Sequence, residues 1–129
     1  MISIVDDNYE IREATKSLVQ SLGLVAKAFP SAVSFLQSPL IAETSCLILD
    51  VQMAEMSGID LQEHLCRLGL EIPTIFITGT PDSAFKKRAL NAGAICVLNK
   101  PFDLEQPLVD CIQAALDQWK RRIARSSCA

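Results

Sequence analysis

Residues 2–7 read ISIVDD, a short apolar run that ends in two adjacent carboxylates, Asp6 and Asp7. ISIVD (2–6) has the length and branched apolar content of a buried strand. Adjacent acids at the mouth of such a strand repel each other and resist dehydration. Three things can make the pair worth keeping: a helix start that favours acid, a bound cation, or a reaction that needs both.

Outward from this stretch, strand-length apolar runs alternate with helical periods. Residues 8–22 place Ile11, Ala14, Leu18 and Leu22 at spacings of three and four, one helix face that stops at Gly23. LVAKAF (24–29) is a second strand, and Pro30–Ser31 opens a short helix through Leu36. SCLILD (45–50) is the third strand, preceded by a polar turn at Glu43–Thr44. Residues 58–68 carry Leu61, Leu65 and Leu68 on one face; IPTIFIT (72–78) follows as the fourth strand. Pro81–Asp82 opens a helix ending near Gly93, ICVL (95–98) is the fifth strand, and Leu104, Leu108, Ile112, Ala115 and Trp119 mark a long last helix. Short βα units in series predict an α/β domain: one doubly wound parallel sheet with helices on both faces, three layers in all.

Composition bounds the function. The chain has 129 residues, enough for one domain, and is 50% apolar and 21% charged, which suits a globular chain and not a disordered one. A net charge of -3 argues against binding nucleic acid through bulk electrostatics. No apolar run approaches the roughly 18 residues of a membrane span, and no basic segment precedes the first apolar stretch, so neither membrane nor secretion is expected. The five cysteines, Cys46, Cys66, Cys96, Cys111 and Cys128, are scattered, odd in number and without a CxxC pair. They read as reduced thiols serving as small hydrophobes in a cytoplasmic protein.

In open parallel sheets the reacting groups gather beyond the carboxyl ends of the strands. The residues at those exits are Asp6 and Asp7, Asp50, Thr78 and Lys100. Three clustered carboxylates make a hard, oxygen-rich pocket suited to Mg²⁺. Asp50 is then a ligand, a nucleophile toward phosphorus, or both; Lys100 and Thr78 suit the phosphoryl oxygens. Singly, each has an ordinary alternative: Asp7 as an N-cap, Asp50 as a turn starter, Thr78 as a strand exit, Lys100 as a solvated lysine. Those alternatives do not explain why all the polar exits share one edge. His64, between Leu61 and Leu65, reads as a surface or boundary helix position, and WKRRIAR as a solvated helix face.

With IVDD, LILD, FITG and NKPF at these spacings, the chain resembles, over nearly its whole length, the receiver domain of bacterial two-component response regulators. LILDVQMAEMSGIDLQEHL, IPTIFITGTPD and NAGAICVLNKPF look most like the subgroup with a LuxR-type helix-turn-helix output domain. The resemblance implies a flavodoxin-like (βα)5 fold with strand order 2-1-3-4-5. It implies that Asp50 accepts a phosphoryl group from a histidine kinase. Asp7, Asp50 and the Gln52 main-chain carbonyl would hold Mg²⁺, with Asp6 acting through a coordinated water. Lys100–Pro101 is expected to be a cis peptide bond, and Thr80 flanks the site. Residues 1–124 would be the receiver, with 125–129 a tail or the start of a linker to an output domain absent from this chain. A homodimer through the fourth helix, fifth strand and fifth helix is expected to be possible, and DNA contact would belong to the output domain.

Two positions depart from the family pattern: Ala54 stands where proline is usual, and Val97 where an aromatic ring commonly takes part in the switch. Two other functions compete. A phosphohydrolase of the haloacid dehalogenase type would need a second acid two residues after Asp50, where this chain has Gln52. An interaction module decoupled from phosphate is motivated by Val97 and Ala54.

Overall fold

The computed structural model describes residues 1–51, 57–79, 83–91, 93–99 and 106–128. The strands are β1 (Ile2–Val5), β2 (Ala26–Phe29), β3 (Cys46–Asp50), β4 (Thr74–Thr78) and β5 (Cys96–Asn99). The helices are α1 (Tyr9–Ser21), α2 (Ala32–Leu36), α3 (Gly58–Arg67), α4 (Ser83–Asn91) and α5 (Gln106–Cys128), with a 3-10 turn at Ile41–Glu43. All four strand pairings are parallel, in the order β2-β1-β3-β4-β5. The expected fold is therefore the observed one. No helix among the described residues is long and apolar enough to cross a membrane.

Alternation along the strands divides the core in two. Ile2, Ile4, Cys46, Ile48, Ile75 and Ile77 pack on one face with Val19 of α1 and Leu108, Ile112 and Ala115 of α5. Val5, Leu47, Leu49 and Phe76 pack on the other with Phe35 of α2, Ile59, Leu61 and Leu65 of α3, and Ala89 of α4. Burying one such large side chain contributes about 1.5–3 kcal/mol, which is why β1, β3 and β4 read as nearly uninterrupted apolar runs.

The starts of α1, α2 and α3 are capped by short polar side chains. Asn8, Ser31 and Ser57 accept from the backbone N–H of Ile11, Ser34 and Asp60, each at 3.1 Å. The cap of α1 is thus Asn8 and not Asp7, which disposes of the plain capping role for that acid. Gly23 leaves α1 at a φ of +79°, a left-handed conformation that only glycine adopts cheaply. Before β3 the chain turns at Ile41–Glu43, and Thr44 and Ser45, which follow, are buried. The Thr44 and Ser3 hydroxyls lie 2.8 Å apart, and Ser45 Oγ donates to the Met1 carbonyl at 3.0 Å. α5 continues through Cys128, so the backbone of 125–128 is helical.

The reading of all cysteines as reduced thiols needs correction. Cys96 of β5 and Cys111 of α5 form a disulfide with Cα atoms 6.3 Å apart. The pairing depends on how α5 lies against the sheet, which a separation of fifteen residues does not reveal. Cys46 does serve as a small hydrophobe: it is fully buried, and loss of hydration pushes its thiol pKa from 9.0 up to about 12. Cys66 is exposed and uncrosslinked.

Candidate functional site

The strand register brings the acids together. Val5 lies opposite Leu49, so Asp6, the next residue, leaves β1 alongside Asp50 at the end of β3. Asp50 lies opposite Ile77, with Thr78 one step beyond. Thr78 in turn lies opposite Asn99, the residue before Lys100. One carboxylate oxygen from each of Asp6, Asp7 and Asp50 falls within 4.8 Å of the others. Asp6 is 3% exposed, Asp50 5% and Thr78 2%, whereas Asp7 faces solvent. The pocket is a buried floor of two acids and a hydroxyl with one acid at its lip.

Local hydrogen bonds hold the floor. The Asp6 amide donates to the Phe29 carbonyl at 3.2 Å, and Asp6 Oδ1 accepts from the Asn8 amide at 2.8 Å. The Asp6 carbonyl accepts from Arg12 Nη1 at 2.9 Å, and the Arg12 guanidinium lies 5.4 Å from the centre of the Tyr9 ring. On the other side, Val51 donates to the Ile77 carbonyl at 3.1 Å, and the Gly58 amide donates to the Val51 carbonyl, also at 3.1 Å. The first residue of α3 is thereby pinned to the end of β3.

Two contributors escaped the sequence reading. Arg12 anchors the main chain of the β1 exit from one turn into α1. Gly58 allows the close approach of α3: a Cβ there would lie 2.8 Å from the Asp50 carbonyl oxygen and 2.8 Å from Phe76 Cε1. A glycine between a Ser N-cap and an apolar run is the local signal for such a position, but the ring it spares belongs to another strand.

The remaining candidates divide as follows. Val97 is half-buried and packs on the face of the sheet that α3 and α4 cover. Gln52, Ala54, Thr80, Lys100 and Pro101 lie outside the described residues. His64 is half-buried on α3, and Lys120 and Arg121 are exposed.

Chemically, three carboxylates this close form a hard anionic site that can hold a metal ion. Neighbouring ligand oxygens around Mg²⁺ stand about 3 Å apart and opposite ones about 4 Å. A spread no greater than 4.8 Å is close to that span, so the donor set fits a small hard cation.

A family described as the response regulator receiver domain matches residues 2–113. The response regulator protein TmoT of Ectopseudomonas mendocina is 47% identical over 116 residues, 90% of this chain and 52% of TmoT. The transcriptional regulatory protein FixJ of Azorhizobium caulinodans is 30% identical over 129 residues, 97% of this chain and 61% of FixJ. The solved structure of the response regulator StyR superposes with a TM-score of 0.87 at 41% identity, covering 98% of this chain and 64% of StyR. The chain thus spans roughly half to two-thirds of the length of these relatives.

Proposed function

This chain belongs to the response regulator receiver domain family, and from that membership we propose the chemistry of its site. It is a signalling domain of a two-component system and not a turnover enzyme. In our reading Asp50 is the phosphoacceptor. An Asp50 carboxylate oxygen attacks the phosphorus of a phosphohistidine on a partner kinase, the P–N bond breaks, and the imidazole nitrogen keeps the electron pair. An acyl phosphate on Asp50 results.

The observation that carries this reading is the convergence of the Asp6, Asp7 and Asp50 carboxylates within 4.8 Å. Asp7, Asp50 and the Gln52 carbonyl would hold Mg²⁺, with Asp6 reaching it through a water. When bound, the ion would offset the charge of the incoming phosphoryl group. The Thr78 hydroxyl, at the buried end of β4, donates to one phosphoryl oxygen, and Lys100 pairs with another. By the same resemblance Thr80 would flank the site, and a cis Lys100–Pro101 bond would help aim the lysine inward. Phosphorylation then shifts the domain between two states.

The longer relatives, FixJ among them by its name a transcriptional regulatory protein, support an output domain on the same polypeptide that acts in transcription. Cytoplasmic residence and phosphorylation-linked pairing of two copies through α4, β5 and α5 belong to the same reading.

The test is direct. Incubation with acetyl phosphate or phosphoramidate and Mg²⁺ adds one phosphoryl mass to the protein, and Asp50→Asn abolishes the gain. No gain from either donor overturns the assignment. Phosphohydrolase chemistry would instead show continued turnover of a simple phosphomonoester.

A further inference from the structure

We propose that Cys96 and Cys111 form a reversible thiol–disulfide site that pins α5 to β5 and so limits how far phosphorylation reaches the α4–β5–α5 face. The inference rests on the cytoplasmic, phosphate-driven reading given above. In that reducing setting a disulfide between two scattered cysteines is transient and regulated, not a permanent staple.

The geometry supports a site and not a chance proximity. A Cα separation of 6.3 Å lies within the span that a disulfide bridges without moving the backbone. Cys96 is half-buried on the edge strand, within reach of a small oxidant, and Cys111 is 8% exposed on the second turn of α5. Around them pack Leu108 and Ile112 of α5 and Ile75 of β4, in the apolar cluster that lies between β5 and α5. The remaining described cysteines lack this arrangement: Cys46 is sealed in the core with its pKa raised to about 12, and Cys66 is exposed on α3.

The position gives the bond its consequence. It joins residues fifteen apart, and the enclosed segment includes Val97 and Lys100. Val97 packs toward α3 and α4 while Cys96 packs toward α5, so adjacent residues of β5 tie the strand to both helical layers. Val97 carries no ring, and the crosslink restricts movement of β5 relative to α5 at this edge.

The oxidant is a small disulfide such as oxidised glutathione. The thiolate of one cysteine attacks it and releases one glutathione thiolate. The second cysteine thiolate then displaces the other, leaving Cys96–Cys111 joined and two glutathione thiols formed.

The test uses the whole chain after equilibration with oxidised glutathione or with dithiothreitol. Peptide mapping should show a Cys96–Cys111 crosslink, with the oxidised protein lighter by two hydrogens, reversed by the reductant and unaffected in Cys66→Ser/Cys128→Ser. Both redox forms are then charged with phosphoramidate and Mg²⁺. Intact mass reads phosphorylation of Asp50, and NMR shifts of α4 and α5 amides read transmission. We expect phosphoryl uptake in both forms, with the shift response at least about fivefold smaller in the oxidised one, the lower end of coupling between sites. Cys96→Ser should respond like the reduced form under either condition. Equal responses in the two redox forms, or a crosslink elsewhere, overturn this inference. Failure of the reduced protein to take up phosphoryl at all instead overturns the reading on which it rests.

Discussion

Replacing Gly58 by alanine tests how β3, the strand that ends in Asp50, is held. The new Cβ would sit 2.8 Å from the Asp50 carbonyl oxygen and 2.8 Å from Phe76 Cε1. Neither neighbour is a flexible tip: one is main chain, and the other is a ring fully buried between sheet and helix. α3 must therefore lift from the end of β3, straining the 3.1 Å bond from the Gly58 amide to the Val51 carbonyl. Overpacking of this kind costs about 1–3 kcal/mol. Alanine recovers up to about 1 kcal/mol through its greater helix propensity. The net expectation is a loss of about 1–2 kcal/mol, which for a domain of this size is a melting temperature lower by roughly 3–10 °C. Calorimetry or urea unfolding reads it. Gly79→Ala is the control: a Cβ there meets nothing within 4 Å and the backbone is not left-handed, so stability should hold or rise by about 0.4–1 kcal/mol. A Gly58→Ala protein as stable as the wild type would refute the claim that close approach, and not chance, put glycine there.

Four further outcomes can be checked. Saturating Mg²⁺, at a hundred times its dissociation constant, should raise stability by about 2.7 kcal/mol, and Asp7→Asn or Asp50→Asn should remove most of that gain; an unchanged gain in both variants argues against the acid cluster as the ion's site. Reduction of Cys96–Cys111 should lower stability by about 3 kcal/mol, the chain-entropy value for a loop of this length, measured by urea unfolding with and without reductant. Burial raises the Cys46 pKa from 9.0 to about 12, so its stabilising contribution is whole below pH 9 and falls by about 1.4 kcal/mol per unit between pH 9 and about 12. Cys46→Ala should flatten that part of the pH–stability curve, and native Cys46 should resist alkylation at pH 8. Finally, beryllofluoride with Mg²⁺ should shift the amide resonances of Val97 and α5 in the reduced protein; shifts confined to the acid pocket would favour a domain decoupled from its output.

Much of this was legible because local pattern and tertiary role agree. SCLILD and IPTIFIT are apolar throughout because β3 and β4 are covered on both sides, and their polar last residues, Asp50 and Thr78, read as exits on one edge. Discrepancies arose where apolar residues serve outside the ladder. Val25, expected in the second strand, is exposed just before it. Pro73, expected in the fourth, lies before β4 and offers its carbonyl to the Leu47 amide at 2.9 Å. The acid at the start of α1 was legible as a candidate cap, but the side chain that caps is its neighbour Asn8. The Cys96–Cys111 pairing and the clearance at Gly58 depend on contacts between elements distant in the chain, for which no local pattern exists.

The distribution of burial across the sheet has a mechanical consequence. Every residue of β1, β3 and β4 is shut away from solvent, so these strands behave as an anvil: displacing any of them would open both apolar layers at once. β2 and β5 keep partly uncovered positions at the two margins. A load applied at the tip of the central strand therefore meets a frame that resists displacement. The margins formed by β2 and β5, where residues are only partly covered, are where the sheet can give at the least cost.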